Sequence, residues 1–362
     1  MSEQLSTTLA LSDEPSRAQS TALREPQVCS VSVVIPCYNE ERFIGKVLEN
    51  LAGQYESGLY EIIVVDGRST DRTRELVQEY IARPGSVRVL LLDNPSRAIP
   101  TALNLGIEAA RGEIIVRMDA HSIPSDNYVR RSVGLLNETG AAVVGMPWRI
   151  SPGAEGLTAL AISLAVAHPF GIGDAKYRLG GLEGTQAVDT VPFGVFRKSL
   201  WHELGGFNER LLANEDYDFH YRARHRGGRI LLDTAGHSLY FARATLKELA
   251  VQYARYGRWK AQMLKLHPRS VRVRQLVAPA FVSSIVILSV LGLWWSQAWW
   301  MLAAVLAAYI ALALFFALKL ARREGDGRLL PLISLAFLVV HCAWGGSFLF
   351  GLVRPPRRAY SS

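Results

Sequence analysis

The sequence predicts an α/β fold built on a mainly parallel sheet, followed by helices apolar enough to enter a membrane. Three observations carry this. From residue 31, short β-branched runs alternate with amphipathic stretches, the signature of a parallel sheet covered on both faces. Residues 276–353 hold three uncharged runs, 276–295, 297–318 and 329–353, each reaching the ~20 residues that cross ~30 Å of hydrocarbon. Acidic residues, Asp66 and Asp119, stand at the ends of two predicted strands, where ligands bind on such sheets.

Taken in order, "VSVVIP" (31–36) is a buried strand and 39–53 carries helical periodicity. "EIIVVD" (61–66) is the second strand, and "STDRTRELVQEYIA" (69–82) a cap and helix. "VRVLLL" (87–92) is the third strand, 99–112 a helix with glycine at its end, and "EIIVRMD" (113–119) the fourth strand. No G-x-G-x-x-G follows the first strand and no G-x-x-x-x-G-K-[ST] occurs, which argues against dinucleotide and P-loop chemistry. The apolar stretch 157–170 is too short to span and reads as an interfacial or core helix. Residues 246–266 mix Leu, Tyr and Trp with Lys and Arg and read as an amphipathic helix at a membrane surface.

The first 28 residues are polar, with no apolar core of a signal peptide, and are expected to be disordered. Cys29, Cys37 and Cys342 have no metal-type spacing and suit a reducing cytosol. The net charge of +8 gathers beside the apolar runs, which points to anionic lipid rather than nucleic acid. Arg269, Arg272 and Arg274 precede the first run, and Lys319, Arg322, Arg323 and Arg328 separate the second from the third. Positive loops stay inside, so residues 1–275 are expected in the cytoplasm. Three crossings would place Arg354, Arg357 and Arg358 outside, against that rule. The third run, with Pro331, His341 and Gly345-Gly346, is therefore left open between a span and a bent or re-entrant segment. No paired charges lie within the runs, which excludes a transporter.

"VSVVIPCYNEE", "VVDGRSTD", "RMDAHS" and "NEDYDFHYR", in this order and spacing, resemble the inverting family 2 glycosyltransferases of the A-type fold. The run 188–230 and "QYARYGRW" (252–259) are similar to exopolysaccharide glycosyltransferases of the succinoglycan-biosynthesis type. The resemblance covers residues 31–265. It divides the chain into a tail (1–28), a cytoplasmic catalytic domain (29–245), an amphipathic juxtamembrane segment (246–275), a membrane region of about three helices (276–353) and a basic tail (354–362).

The resemblance also implies roles. A divalent cation, Mn²⁺ or Mg²⁺, bridges the phosphates of a nucleotide sugar and stabilises the leaving diphosphate. Family members carry Asp-x-Asp where this chain has Asp119-Ala120-His121, so Asp119 is expected on the ribose or the metal and His121 on the metal. An imidazole tilts the choice towards Mn²⁺. Asp66 matches the contact to the nucleotide base, with Gly67 in place of a second acid. Pro36, Tyr38 and Glu40 match the base-and-ribose pocket, and Arg97 a basic contact to the nucleotide. In "NED", Asp216 matches the base that deprotonates the acceptor hydroxyl, and Glu215 is its partner. Gln252 and Arg255 match residues near the acceptor and diphosphate in processive synthases, although Tyr256 replaces their Trp. Asp71 reads as a helix-start acid and Asp218–Arg222 as an ordinary ion pair. The glycine-rich segment 171–187 is expected as a lid over the acceptor.

The function expected is transfer of a hexose from a nucleotide sugar, UDP-linked, to a lipid-linked saccharide. The competing readings are a polyprenyl-phosphate monosaccharide transferase and a non-catalytic membrane scaffold of the same fold.

Overall fold

The computed structural model describes residues 30–56, 60–85 and 87–354; Cys29, both tails and the basic cluster beyond Arg354 lie outside them. The predicted alternation is present. Strand β1 (Val31–Cys37), helix α1 (Ile44–Ala52), β2 (Tyr60–Asp66), α2 (Thr73–Ile81), β3 (Arg88–Asp93), α3 (Ile99–Ala109) and β4 (Ile114–Arg117) follow in that order. Every residue of β1, β2 and β4 is buried, as a sheet covered on both faces requires.

Chain continues through β5 (Ile123–Pro124), α4 (Tyr128–Thr139), β6 (Val143–Gly145), β7 (Trp148–Ser151), α5 (Leu157–Val166) and α6 (Pro169–Ile172). Then come β8 (Thr185–Ala187), β9 (Val195–Arg197), α7 (Lys198–Leu204), α8 (Glu215–His225), β10 (Ile230–Asp233) and β11 (Ser238–Phe241). The main sheet has the order β3-β2-β1-β4-β9-β6-β10-β8, and a small second sheet the order β5-β11-β7. β1 to β4 pair in parallel, while β9 runs antiparallel between β4 and β6. This fixes the carboxyl ends of β1, β2, β3 and β4 along one edge.

Helix α2 starts later than the sequence predicts, because residues 69–72 are taken up in a loop lattice. Asn39 Oδ1 accepts from Thr70 N, Glu41 Oε2 from Arg72 N, and Glu40 N donates to Thr73 Oγ1. Asp71 accepts from Thr73 N and Oγ1, the helix-start role expected of it. Asp218 pairs with Arg222 at 2.7 Å and also meets His267 Nε2 at 2.8 Å, so this ion pair ties α8 to the segment after the next helix.

The last four helices are α9 (Leu246–Leu266), α10 (Arg274–Leu291), α11 (Gln297–Glu324) and α12 (Leu329–Val353). A Thr245–Glu248 capping box starts α9. The last three are long and apolar enough to cross a membrane. The third run forms one continuous helix, but α12 packs along α9. A Cβ on Gly257 of α9 would stand 2.3 Å from the Trp344 carbonyl and 2.4 Å from Ser347 Oγ. Gln262 and Lys265 both donate to the Gly351 carbonyl. One apolar cluster joins α5 and α9 with α11 and α12, through Ile162, Leu249, Ala317 and Phe337. The amphipathic helix predicted to lie on a membrane thus has its apolar face against α12. The short apolar stretch is α5, with a core role.

Candidate active site

The chemistry-bearing residues gather where β4 ends. Arg117, last residue of β4, is only 5% exposed. Its NH2 lies 3.1 Å from Asp119 Oδ1 and 3.3 Å from Glu215 Oε1, and its NH1 lies 3.0 Å from Asp216 Oδ2. One guanidinium therefore holds three carboxylates, from β4's loop and from the first turn of α8. Phe193 packs beneath it, the guanidinium carbon 5.3 Å from the ring centre. Asn214 turns the chain into α8 at φ 66°, and Phe193 has φ 49°. Asn39, Arg68 and Arg97, which follow β1, β2 and β3, also have positive φ. Such backbone costs ~1–3 kcal/mol per residue and persists where surrounding contacts enforce it.

Burial pushes the Asp216 carboxyl up to about 7, against the pull of Arg117 and with the help of Glu215 and Asp119. Glu215 is raised too, mainly by burial, with Arg117 opposing. His121 Nδ1 lies 2.8 Å from Glu40 Oε1. Burial lowers the His121 pKa, but that hydrogen bond and the Asp119 and Glu40 charges outweigh it and leave the pKa raised.

A cavity of about 780 Å³ opens from this cluster. Arg117, Asp119, His121 and Asp216 line it, together with Gln252, Arg255 and Tyr256 of α9 and Phe281, Leu312 and Trp344 of α10, α11 and α12. Gln252 Nε2 donates to Tyr240 OH at 2.9 Å, and Arg255 NH2 to the Leu212 carbonyl at 2.5 Å. So Asp119, His121, Glu215, Asp216, Gln252 and Arg255 share one cavity, and Glu40 joins them through His121.

The nucleotide-facing residues behave less uniformly. Tyr38 is 42% exposed at the end of β1, with the Arg97 guanidinium 5.2 Å from its ring centre. Gly67 makes room for that ring: a Cβ there would meet Tyr38 Cδ2 at 3.3 Å. This gives a steric account of why no second acid follows Asp66. Pro36 is buried within β1. Asp66, expected to contact the nucleotide base, is engaged within the protein. Its side chain is wholly buried and accepts from Ser69 N and Oγ and from Arg74 NH1 at 2.7 Å. Arg74 NH1 also reaches Asp93 at 3.2 Å; Pro36, Tyr38, Glu40, Asp66 and Arg97 all lie outside the cavity lining.

Segment 171–187 is more anchored than a lid. Tyr177 packs edge-on against Trp148 at 5.3 Å, and Arg178 NH1 donates to Tyr253 OH at 3.1 Å. Two functional candidates, Arg117 and Arg178, escaped the sequence reading. Arg117 had a signal: a charge inside an otherwise β-branched, buried run.

Among the described residues, no three His, Cys, Asp or Glu side chains cluster as a preformed metal site. The donors nevertheless fit a cation that arrives with phosphate. Three carboxylates share one guanidinium, leaving an excess of negative charge. Glu40 engages Nδ1 of His121 and leaves Nε2 as the remaining ring donor, the usual carboxylate–histidine arrangement at a metal. One carboxylate and one imidazole, with the remaining ligands from phosphate and water, suit Mn²⁺ better than Mg²⁺.

The sheet, its antiparallel β9 and the acidic cluster at the end of β4 define a glycosyltransferase of the A-type fold. A mannosyltransferase from Pyrobaculum calidifontis, solved with GDP-Man and Mn²⁺, superposes with a TM-score of 0.58 at 19% identity, over 88% of this chain and 87% of that one. The profile of Glycosyl transferase family 2 matches residues 32–205. Succinoglycan biosynthesis protein ExoA of Rhizobium meliloti (strain 1021) is 30% identical over 322 residues, 87% of this chain and 93% of the relative. The dolichyl N-acetyl-alpha-D-glucosaminyl phosphate 3-beta-D-2,3-diacetamido-2,3-dideoxy-beta-D-glucuronosyltransferase of Methanococcus voltae is 25% identical over 240 residues, 65% and 74% of the two chains. The chain belongs to glycosyl transferase family 2 and is a glycosyltransferase.

Proposed function

We propose that the protein moves a hexose with inversion from a nucleotide sugar, UDP-linked, to a lipid-linked saccharide in exopolysaccharide or cell-surface glycan synthesis. The observation that carries this reading is the single cavity joining the Arg117 carboxylate cluster to the apolar walls of α10, α11 and α12. An acceptor with a saccharide head and an isoprenoid tail suits both ends. The two relatives support it: one is named for succinoglycan biosynthesis, the other for transfer to a dolichyl-linked phosphosugar.

In this reading Asp216 takes the acceptor's hydroxyl proton as that oxygen attacks the anomeric carbon, and its near-neutral pKa suits the task. Arg117 fixes Asp216 and Asp119 in register, and Glu215 keeps the base's proton affinity high by its charge. Tyr38 and Arg97 form the exposed rim for the nucleotide, with Glu40 held to His121. Asp119 and His121 hold a divalent cation, Mn²⁺ in preference to Mg²⁺, which when bound supplies the positive charge that the departing diphosphate needs. Gln252 and Arg255 face the acceptor.

Membrane placement follows from packing. Helix α9 carries Lys247, Glu248, Arg255, Arg258 and Lys265 along its ~31 Å, which bars it from hydrocarbon. Because α12 packs along it, we infer that α12 lies at the interface and that α10 and α11 cross. Two crossings would return Arg354 to the side of the sheet, in keeping with the positive-inside rule.

The test uses full-length protein in lipid with a panel of radiolabelled nucleotide sugars and a polyprenyl-diphosphate-linked saccharide. Label moving onto that lipid supports the reading. Label moving onto bare polyprenyl phosphate alone supports the monosaccharide-transferase alternative, and no transfer to either lipid overturns both.

A further inference from the structure

The cavity contains a second cationic centre, away from the carboxylates. Arg178 is 8% exposed and lines the cavity. Its guanidinium carbon lies 4.8 Å from the Trp148 ring centre, 5.5 Å from Tyr177 and 5.9 Å from Tyr240. Among the described residues its one side-chain acceptor is Tyr253 OH, yet a guanidinium has five N–H donors and cannot lose its charge. Among the described residues no carboxylate lies within 4.0 Å of it. Burial of an unpaired cation is costly, and aromatic faces offset only part of that cost.

The other buried cations of the cavity are provided for. Arg117 has three carboxylates, and Arg274 pairs with Asp174 and Asp189, each at 2.6 Å. Lys260 also lacks a carboxylate, but it donates to the Ser270 carbonyl at 3.2 Å. Burial lowers its pKa to about 7, so it can shed its charge. Arg178 has no such escape.

Its position identifies the missing anion. On one side, Trp148 lies 5.8 Å from Phe193, the ring beneath Arg117. On the other, Tyr253 belongs to the apolar cluster shared with Phe337 and Val340 of α12. Arg178 thus stands between the proton-accepting end of the cavity and its apolar end. In an amphipathic lipid-linked saccharide, that junction is where the phosphate lies.

We propose that Arg178, in its cage of Trp148, Tyr177, Tyr240 and Tyr253, binds the phosphate or diphosphate joining the acceptor's sugar to its lipid tail. This rests on the lipid-linked-acceptor reading. It adds the residue that distinguishes a phosphorylated lipid from a neutral one.

The experiment is calorimetry on full-length wild type, R178M and R178K in nanodiscs. Farnesyl diphosphate is the probe, farnesol the neutral control, and UDP with Mn²⁺ the control for the donor side and for folding. Wild type is expected to favour farnesyl diphosphate over farnesol. R178M should lose about 10- to 100-fold of that preference, as expected for a charge-assisted hydrogen bond, with UDP affinity unchanged. R178K should recover part of it. If wild type binds farnesyl diphosphate and R178M binds it equally well, the inference falls and the acceptor reading stands. A loss confined to UDP would assign the cage to the donor diphosphate and overturn the inference. Wild type that does not favour farnesyl diphosphate over farnesol would overturn the acceptor reading itself, and this inference with it.

Discussion

Arg117 opposes the burial that raises the carboxyl pKa values of the site. It holds Asp119, Glu215 and Asp216, so its removal leaves three carboxylates without their counter-charge. R117M is expected to cost about 3–5 kcal/mol of stability, read as a lowered urea midpoint, and to raise the acid limb of the activity profile. Asp216 must be ionised to accept a proton. Its pKa of about 7 predicts that kcat/KM falls below neutral pH, tenfold per unit once well below that value. Glu215 raises that pKa, so E215Q should move the limb to lower pH. D216N, which cannot take the proton, should lower kcat by about 10²- to 10⁴-fold; wild-type rates in D216N would remove Asp216 from the mechanism. Residue types in the motifs showed where acids would stand, but not which were free. Asp66 ends β2 and is held by Ser69 and Arg74, whereas Asp119, two residues past β4, is held by Arg117 and lines the cavity. That difference lies in which side chains the fold brings to each.

Elements were legible where one period dominates. β1, β2, β3 and α3 fall within a residue or two of expectation at most ends, because β-branched runs and helical spacing are local signals. The start of α2 was not, since the lattice of Asn39, Glu41 and Asp71 competes with the helix for the same backbone groups. Neither was the fate of α12, whose apolar run of spanning length does not say whether lipid or protein will cover it. The packing on α9 predicts that a reporter fused after residue 354 lies on the same side as the catalytic domain. Accessibility labelling on both faces of sealed vesicles checks this, and a reporter on the opposite face would restore three crossings. G257V forces a Cβ into the Trp344 carbonyl. It should cost about 1–3 kcal/mol, seen as a lower melting temperature in detergent with nucleotide binding retained.

As a whole, the molecule is a mainly parallel sheet and three helices apolar enough to cross a membrane, sharing one cavity. Chelation therefore tests the donor end alone. EDTA should abolish transfer and weaken nucleotide-sugar binding, and Mn²⁺ should restore both, whereas binding of a lipid phosphate at the far end should persist. A non-catalytic scaffold would show no metal-dependent heat with a nucleotide sugar. By itself the sequence determined the fold class, the family and the order of acidic motifs, because these depend on residue type and spacing along the chain. Tertiary structure decided that one arginine holds three acids, that Asp66 pairs with Arg74, that Arg178 is caged with no carboxylate partner among the described residues, and that α12 packs along α9. Each of these depends on which distant side chains meet in low dielectric, where an unpaired charge is expensive and a paired one is fixed.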